Sequence, residues 1–121
     1  MLLQCEDHIL FEDTDIFILN KPYGMATLDD RDQTKTTVLK MVKAYHPDAQ
    51  ICHRLDKETS GILVVAKHAE AYRHMSMAFE NREVIKIYHA VVHGNRSLEN
   101  LMVELPIHIP KEGPVYIDRI E

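Results

Sequence analysis

The residues best equipped for chemistry lie in Ile51–Lys67, ICHRLDKETSGILVVAK, where Arg54, Asp56, Lys57 and Glu58 crowd ahead of Thr59-Ser60-Gly61 and an apolar run. Glycine permits positive φ and Ser/Thr side chains bond local backbone, so Thr59-Ser60-Gly61 makes a natural tight turn. A carboxylate placed there stands at the rim of a rigid scaffold. In extended backbone Arg54 and Asp56 share a face; a pair ~4 Å apart at an effective dielectric of about 20 interacts by roughly 4 kcal/mol. Such a pair keeps Asp56 ionised at neutral pH. An ionised, positioned aspartate can serve as a nucleophile, a base or a metal ligand. A plain surface ion-pair cluster is the ordinary alternative. His53 with Asp56 has no third or fourth ligand at metal-site spacing, and Ser60 lacks the G-x-S-x-G elbow of a serine nucleophile.

A second pair stands in REVIKIYHAVVHG. Its alternation predicts a strand, with Ile85, Ile87, His89 and Val91 on one face and Lys86, Tyr88, Ala90 and Val92 on the other. Lys86 and Tyr88 then sit about 7 Å apart on one face. They either face a ligand together or form a half-buried tyrosine beside a snorkelling lysine.

Several elements must carry these groups. HILFEDTDIFILNKPYG predicts two short strands around a turn at Asp13 to Asp15. The second runs from Ile16 to Leu19 and is stopped by Asn20-Lys21-Pro22, with Gly24 as the next turn residue. In TTVLKMVKAYHP, Val38, Met41, Val42 and Tyr45 repeat at i, i+3, i+4, i+7, one apolar helical stripe. Thr34 or Thr36 is placed to cap that helix and Pro47 to end it. ILVVAK is apolar on both faces, which predicts a strand covered on both sides. AEAYRHMSMAFENR predicts a second helix, with Tyr72, Met75, Met77 or Ala78, and Phe79 at its buried face; a methionine-rich stripe is ordinary core filler. ENLMVELPIHIPKEGPVYIDRIE holds one strand up to Leu105; then Pro106, Pro110 and Pro114 exclude a regular central strand before the strand-like VYIDRI.

At 121 residues the chain is the size of one domain able to bury a core. No stretch approaches the ~20 apolar residues of a membrane span, and MLLQCEDHIL has no basic flank of a secretory signal. Cys5 and Cys52 lack metal spacing, so free thiols in a reducing cytosol are expected, and a cytoplasmic location with them. The net charge of −5 argues against a general basic footprint for nucleic acid. The charge is uneven, however. Residues 52–96 carry seven basic and five acidic groups with five of the eight histidines, whereas residues 1–51 carry five and nine and residues 97–121 two and five. Only the middle segment is suited to an anionic ligand.

Three ordered stretches carry a family likeness. His53-Arg54-Leu55-Asp56, then Thr59-Ser60-Gly61 and a strand ending Ala66-Lys67, resembles the signature of the RluA-type pseudouridine synthases. Asn20-Lys21-Pro22-x-Gly24-Met25 resembles that family's N-K-P-x-G turn. Lys86-x-Tyr88-x-Ala90, with Val92 and Gly94, resembles its K-x-Y-x-A strand. The likeness covers nearly the whole chain.

The resemblance implies that Asp56 is the catalytic aspartate and that Tyr88 stacks on the target uracil and helps remove its C5 proton. It also implies RNA contacts from Arg54, Lys86 and His53, with no cofactor and no metal. The implied reaction isomerises specific uridines of ribosomal or transfer RNA to pseudouridine; the alternative is a non-catalytic RNA-binding or assembly module on the same scaffold. The family's later R-x-H-Q-I-R-type motif is absent from these residues. The expectation is therefore a single, truncated domain over residues 1–121, the N-terminal portion of the catalytic domain, with impaired activity. The expected fold is α+β, a mixed and largely antiparallel sheet with two helices packed on it. An exposed sheet edge would favour self-association.

Overall fold

The computed structural model describes residues 4–29, 31, 35–95, 99, 102, 104, 107, 108, 116 and 117. The chain divides into two compact units, Met1–Ile87 and Tyr88–Glu121. In the first, a 3-10 turn at Cys5–His8 leads to strands β1 (Ile9–Glu12) and β2 (Ile16–Lys21), helix α1 (Val38–Tyr45), strands β3 (Gln50–Ile51) and β4 (Gly61–Ala66), and helix α2 (Ala69–Glu80). The strands form one antiparallel sheet in the order β1-β2-β4-β3. In the second unit two short strands, β5 (Ile107–His108) and β6 (Tyr116–Ile117), pair antiparallel. The α+β architecture with two helices on a largely antiparallel sheet agrees with the sequence.

Pairing of β2 with β4 in the register Phe17↔Val65, Leu19↔Leu63 and Lys21↔Gly61 sets the core. Phe17, Leu19, Leu63 and Val65 are fully buried against Val38, Met41 and Val42 of α1. This is the i, i+3, i+4 stripe of α1 expected from sequence, and Tyr45 extends it by meeting the Phe17 ring edge-on at 5.6 Å. The cap differs from expectation. Thr37, rather than Thr34 or Thr36, accepts from the Lys40 amide at 3.3 Å and donates to the Asp29 carboxylate. The Val38 and Leu39 amides donate to the carbonyls of Ala26 and Thr27, so the loop after β2 also finishes the helix start.

The opposite face is less complete. The expectation that β4 is covered on both sides holds for Leu63 and Val65 but not for Ile62, which is 56% exposed. Helix α2 packs on β3 and β4 there, through Ala71, Met75, Ala78 and Phe79 at i, i+4, i+7, i+8. Tyr72, expected inside, lies off that stripe and is exposed; of the alternatives Met77 or Ala78, Ala78 is on the stripe and Met77 is exposed. The helix ends in a Schellman turn: Glu83 N–H bonds Ala78 C=O, Arg82 N–H bonds Phe79 C=O, and Arg82 takes φ +57°.

The strand expected over residues 82–94 is not formed. Ile85 is 89% exposed, and among the described residues no ladder partner pairs with this segment. Alternation supplies two faces, but a strand also needs a neighbour for its amides and carbonyls. The strand expected up to Leu105 falls largely outside the described residues; of VYIDRI, Tyr116–Ile117 is a strand.

A polar clasp ties the β1–β2 turn to α1 and β4. Tyr45 donates to Glu12 Oε1 at 2.6 Å, and Lys67 Nζ donates to Glu12 Oε2 at 2.7 Å and to the Asp13 carbonyl at 2.9 Å. Those hydrogen bonds, from Lys67 first and then Tyr45, hold the Glu12 carboxyl below its ordinary pKa and push the Tyr45 phenol up to about 12. A carboxyl with a lowered folded pKa contributes stability that is present above its unfolded pKa and lost as pH falls through the folded value. Glu12→Gln should therefore destabilise the protein in urea melts at pH 7 and much less at pH 3. Arg82→Gly relieves a left-handed residue at the end of α2 and should raise stability by about 1 kcal/mol in the same assay.

Candidate active site

The segment from His53 to Lys57 is tied down at every second residue. His53 Nε2 accepts from the Val64 amide at 3.0 Å. Leu55 is buried, its carbonyl accepts from Thr27 Oγ1 at 2.7 Å, and its amide donates to the same oxygen at 3.2 Å. The Lys57 carbonyl accepts from the Gly24 amide at 2.9 Å and from Lys21 Nζ at 3.1 Å. Arg54 and Asp56, the residues between the ties, are exposed. The Asp56 carbonyl accepts from the Thr59 amide at 3.0 Å, closing the turn into β4. The polar cluster is thus a short pinned loop that presents one arginine and one aspartate.

Lys21 was not singled out by sequence reading as a site residue, and it is central. Its side chain is 0% exposed, and its ammonium donates to the Pro22 and Lys57 carbonyls at 3.0 and 3.1 Å. Burial lowers its pKa, and the charges of Glu58 and Asp56 offset part of that shift. The available signal was register. Phe17, Leu19 and Lys21 alternate onto the inner face of β2, so a lysine there must enter the core side. Gly24 takes φ +84°, the left-handed conformation that lets its amide turn to Lys57.

The expected Arg54–Asp56 ion pair is absent: the ion pairs among the described residues are Lys67–Glu12 and His68–Asp15. The backbone ties hold the loop, and the buried cation whose field Asp56 shares is Lys21. His53 and Lys86 do come together. The His53 ring stacks on Phe79 at 4.2 Å, and Lys86 Nζ lies 5.5 Å from the same ring's centroid. Lys86 and Tyr88 are not aligned by a strand; Lys86 belongs to the first unit, and Tyr88, 62% exposed, to the second. A cavity of about 620 Å³ is lined by Asp13, Asp15, Ile16, His68, Arg73 and Met77 among others, and none of the expected site residues lines it. Among the described residues no group of three or more His, Cys, Asp or Glu is arranged to hold a metal ion, and no helix is long and apolar enough to cross a membrane. Burial raises the pKa of both thiols, Cys5 to about 11.

The Thr27 hydroxyl serves two buried backbone groups that water cannot reach. Thr27→Val keeps the shape and strands both, so it should cost about 2 kcal/mol in chemical denaturation. The His53–Lys57 amides should then exchange with solvent faster.

The chain is similar to several known proteins. A family model described as RNA pseudouridylate synthase matches residues 15–118. The chain is 38% identical over 93 residues to "Ribosomal large subunit pseudouridine synthase D" of Buchnera aphidicola, covering 71% of this chain and 30% of that protein. It is 37% identical over 100 residues to "Dual-specificity RNA pseudouridine synthase RluA" of Escherichia coli K12, covering 82% and 46%. The structure of "Human RNA Pseudouridylate Synthase Domain Containing 4" superposes with a TM-score of 0.55 at 26% identity, covering 65% of this chain and 31% of that one. The chain thus spans less than half the length of these relatives. With the match extending over most of its residues, the chain belongs to the RNA pseudouridylate synthase family.

Proposed function

We propose that this chain carries the reactive aspartate of an RNA pseudouridine synthase that isomerises uridines in ribosomal or transfer RNA. The observation that carries the proposal is the presentation of Asp56, exposed on a loop whose flanking residues are fixed by hydrogen bonds at Leu55 and Lys57. A pure RNA binder gains nothing from a carboxylate held rigidly beside phosphates. An exposed position suits a macromolecular substrate, which must deliver a base to the acid.

In the proposed reaction the C1′–N1 bond breaks, the uracil turns, and C5 bonds to C1′. Asp56 forms a transient covalent bond to the sugar or to the base and releases it as C5 joins C1′. N1 gains a proton for the one C5 loses, nothing is oxidised and no group is imported, so neither cofactor nor metal is required. The base must first leave its stack at a cost of a few kcal/mol. Stacking on Tyr88 offsets ~1–3 kcal/mol of that, and the same phenol assists removal of the C5 proton. Phosphate contacts supply the remainder. Arg54, exposed beside Asp56, is the first such contact, and Lys86 is the second. His53, expected as a third, has its Nε2 lone pair committed to Val64. The alternative is a non-catalytic RNA-binding or assembly module on the same scaffold.

Asp56→Asn separates the two. Incubated with a uridine-containing transcript and mapped by carbodiimide-dependent reverse-transcription stops, the wild type should give stops. The variant should lose them by a factor of roughly 1000 or more while still binding RNA. Stops that persist in Asp56→Asn would remove Asp56 from the chemistry; RNA binding by both proteins with stops in neither supports the module.

A further inference from the structure

We infer that His53 is a positioning residue for Asp56, acting as a neutral imidazole protonated on Nδ1 that takes the place of a missing strand at the edge of β4; this rests on the function proposed above. Strand β3 covers only Val65 and Ala66 of β4 and ends at Ile51. Beyond it the Val64 amide has no carbonyl acceptor from a neighbouring strand and donates instead to His53 Nε2 at 3.0 Å. A ring nitrogen that accepts an amide hydrogen carries no proton, so in the neutral ring the proton is on Nδ1. The stack on Phe79 fixes the plane of the ring. His53 therefore sets where the chain leaves the sheet, one residue before Arg54 and three before Asp56.

Protonation of Nε2 would replace the acceptor with a donor facing another donor and release this tie. The surroundings oppose that change. On the β4 side His53 meets the Val64 amide and on the α2 side the Phe79 ring, neither of them charged. The charged group acting on it is Lys86, from the segment after α2. Burial first, and then the Lys86 charge, lowers the His53 pKa below the ordinary histidine value. The tie consequently holds at neutral pH and is lost in acid, as pH falls through the lowered value.

The tautomer is read directly on the protein labelled with 15N-histidine, by long-range 1H–15N correlation across pH. The expected result is an Nδ1–H ring that titrates below about pH 6.5, with Val64 amide exchange accelerating through the same midpoint. An Nε2–H ring, or a Val64 amide indifferent to that titration, would overturn the inference whether or not the protein modifies RNA.

Kinetics supply the second arm. His53→Gln keeps an acceptor at the position of Nε2 but does not titrate; His53→Leu has no acceptor. His53→Gln should retain pseudouridine formation and lose the wild type's decline in kcat through the His53 midpoint. His53→Leu should lower kcat by about 100-fold with KM for the transcript unchanged. A rise in KM alone would make His53 an RNA contact instead, and equal losses in both variants would also refute the positioning role. Absence of pseudouridine from wild type, with the NMR result as expected, would count against the proposed reaction and leave the His53 geometry standing.

Discussion

The two-way hydrogen bond between Thr27 and Leu55 is the constraint on which the rest depends. One hydroxyl donates to the Leu55 carbonyl and accepts from its amide, across 28 residues of sequence and away from water. It joins two loops that each have other duties. The first loop leaves β2, completes the start of α1 with the Ala26 and Thr27 carbonyls, and turns at Gly24. The second carries Arg54 and Asp56. Because Leu55 is also part of the apolar core, moving Asp56 requires either unpairing buried backbone groups or withdrawing a core side chain. The aspartate is held by the hydrophobic effect as much as by polar bonds.

Lys21 adds the electrostatic part. A fully enclosed ammonium is expensive to bury, and two backbone carbonyls are modest compensation. The charges of Glu58 and then Asp56 favour it further, so the buried cation is supported by the exposed carboxylates beside it. The loop is therefore a small charge-balanced unit set on an otherwise apolar core. Within a chain of net charge −5, Arg54 and the exposed cations of α2 and its sequel lie in the one stretch where basic residues outnumber acidic ones.

Much of this was legible in the sequence, and the failures have physical causes. The β1–β2 hairpin, the α1 stripe and the β4 run follow from periodicity and turn residues, which are local properties. Asp56 stood out because charge and a tight turn abut an apolar strand. The strand expected over residues 82–94 does not form because alternation describes side-chain placement and says nothing of a neighbour for the backbone. The Arg54–Asp56 ion pair does not form because the loop's ties run to Gly24, Thr27, Lys21 and Val64, and nearness in sequence does not reveal them. Lys21 is hard to read because a lysine just before Pro22 looks like a strand stop, whereas it is the last inward position of β2.

That last position has a kinetic side. Lys21 lies opposite Gly61 at the end of a six-residue antiparallel ladder, and side-chain orientation in such a ladder inverts with every residue of slippage. A nascent sheet misaligned by one step would expel the lysine to solvent together with Phe17 and Leu19, and the two loops could not then meet. Strand alignment and the joining of the two loops are therefore the same event, and chains that collapse in the wrong alignment cannot bring the loops together.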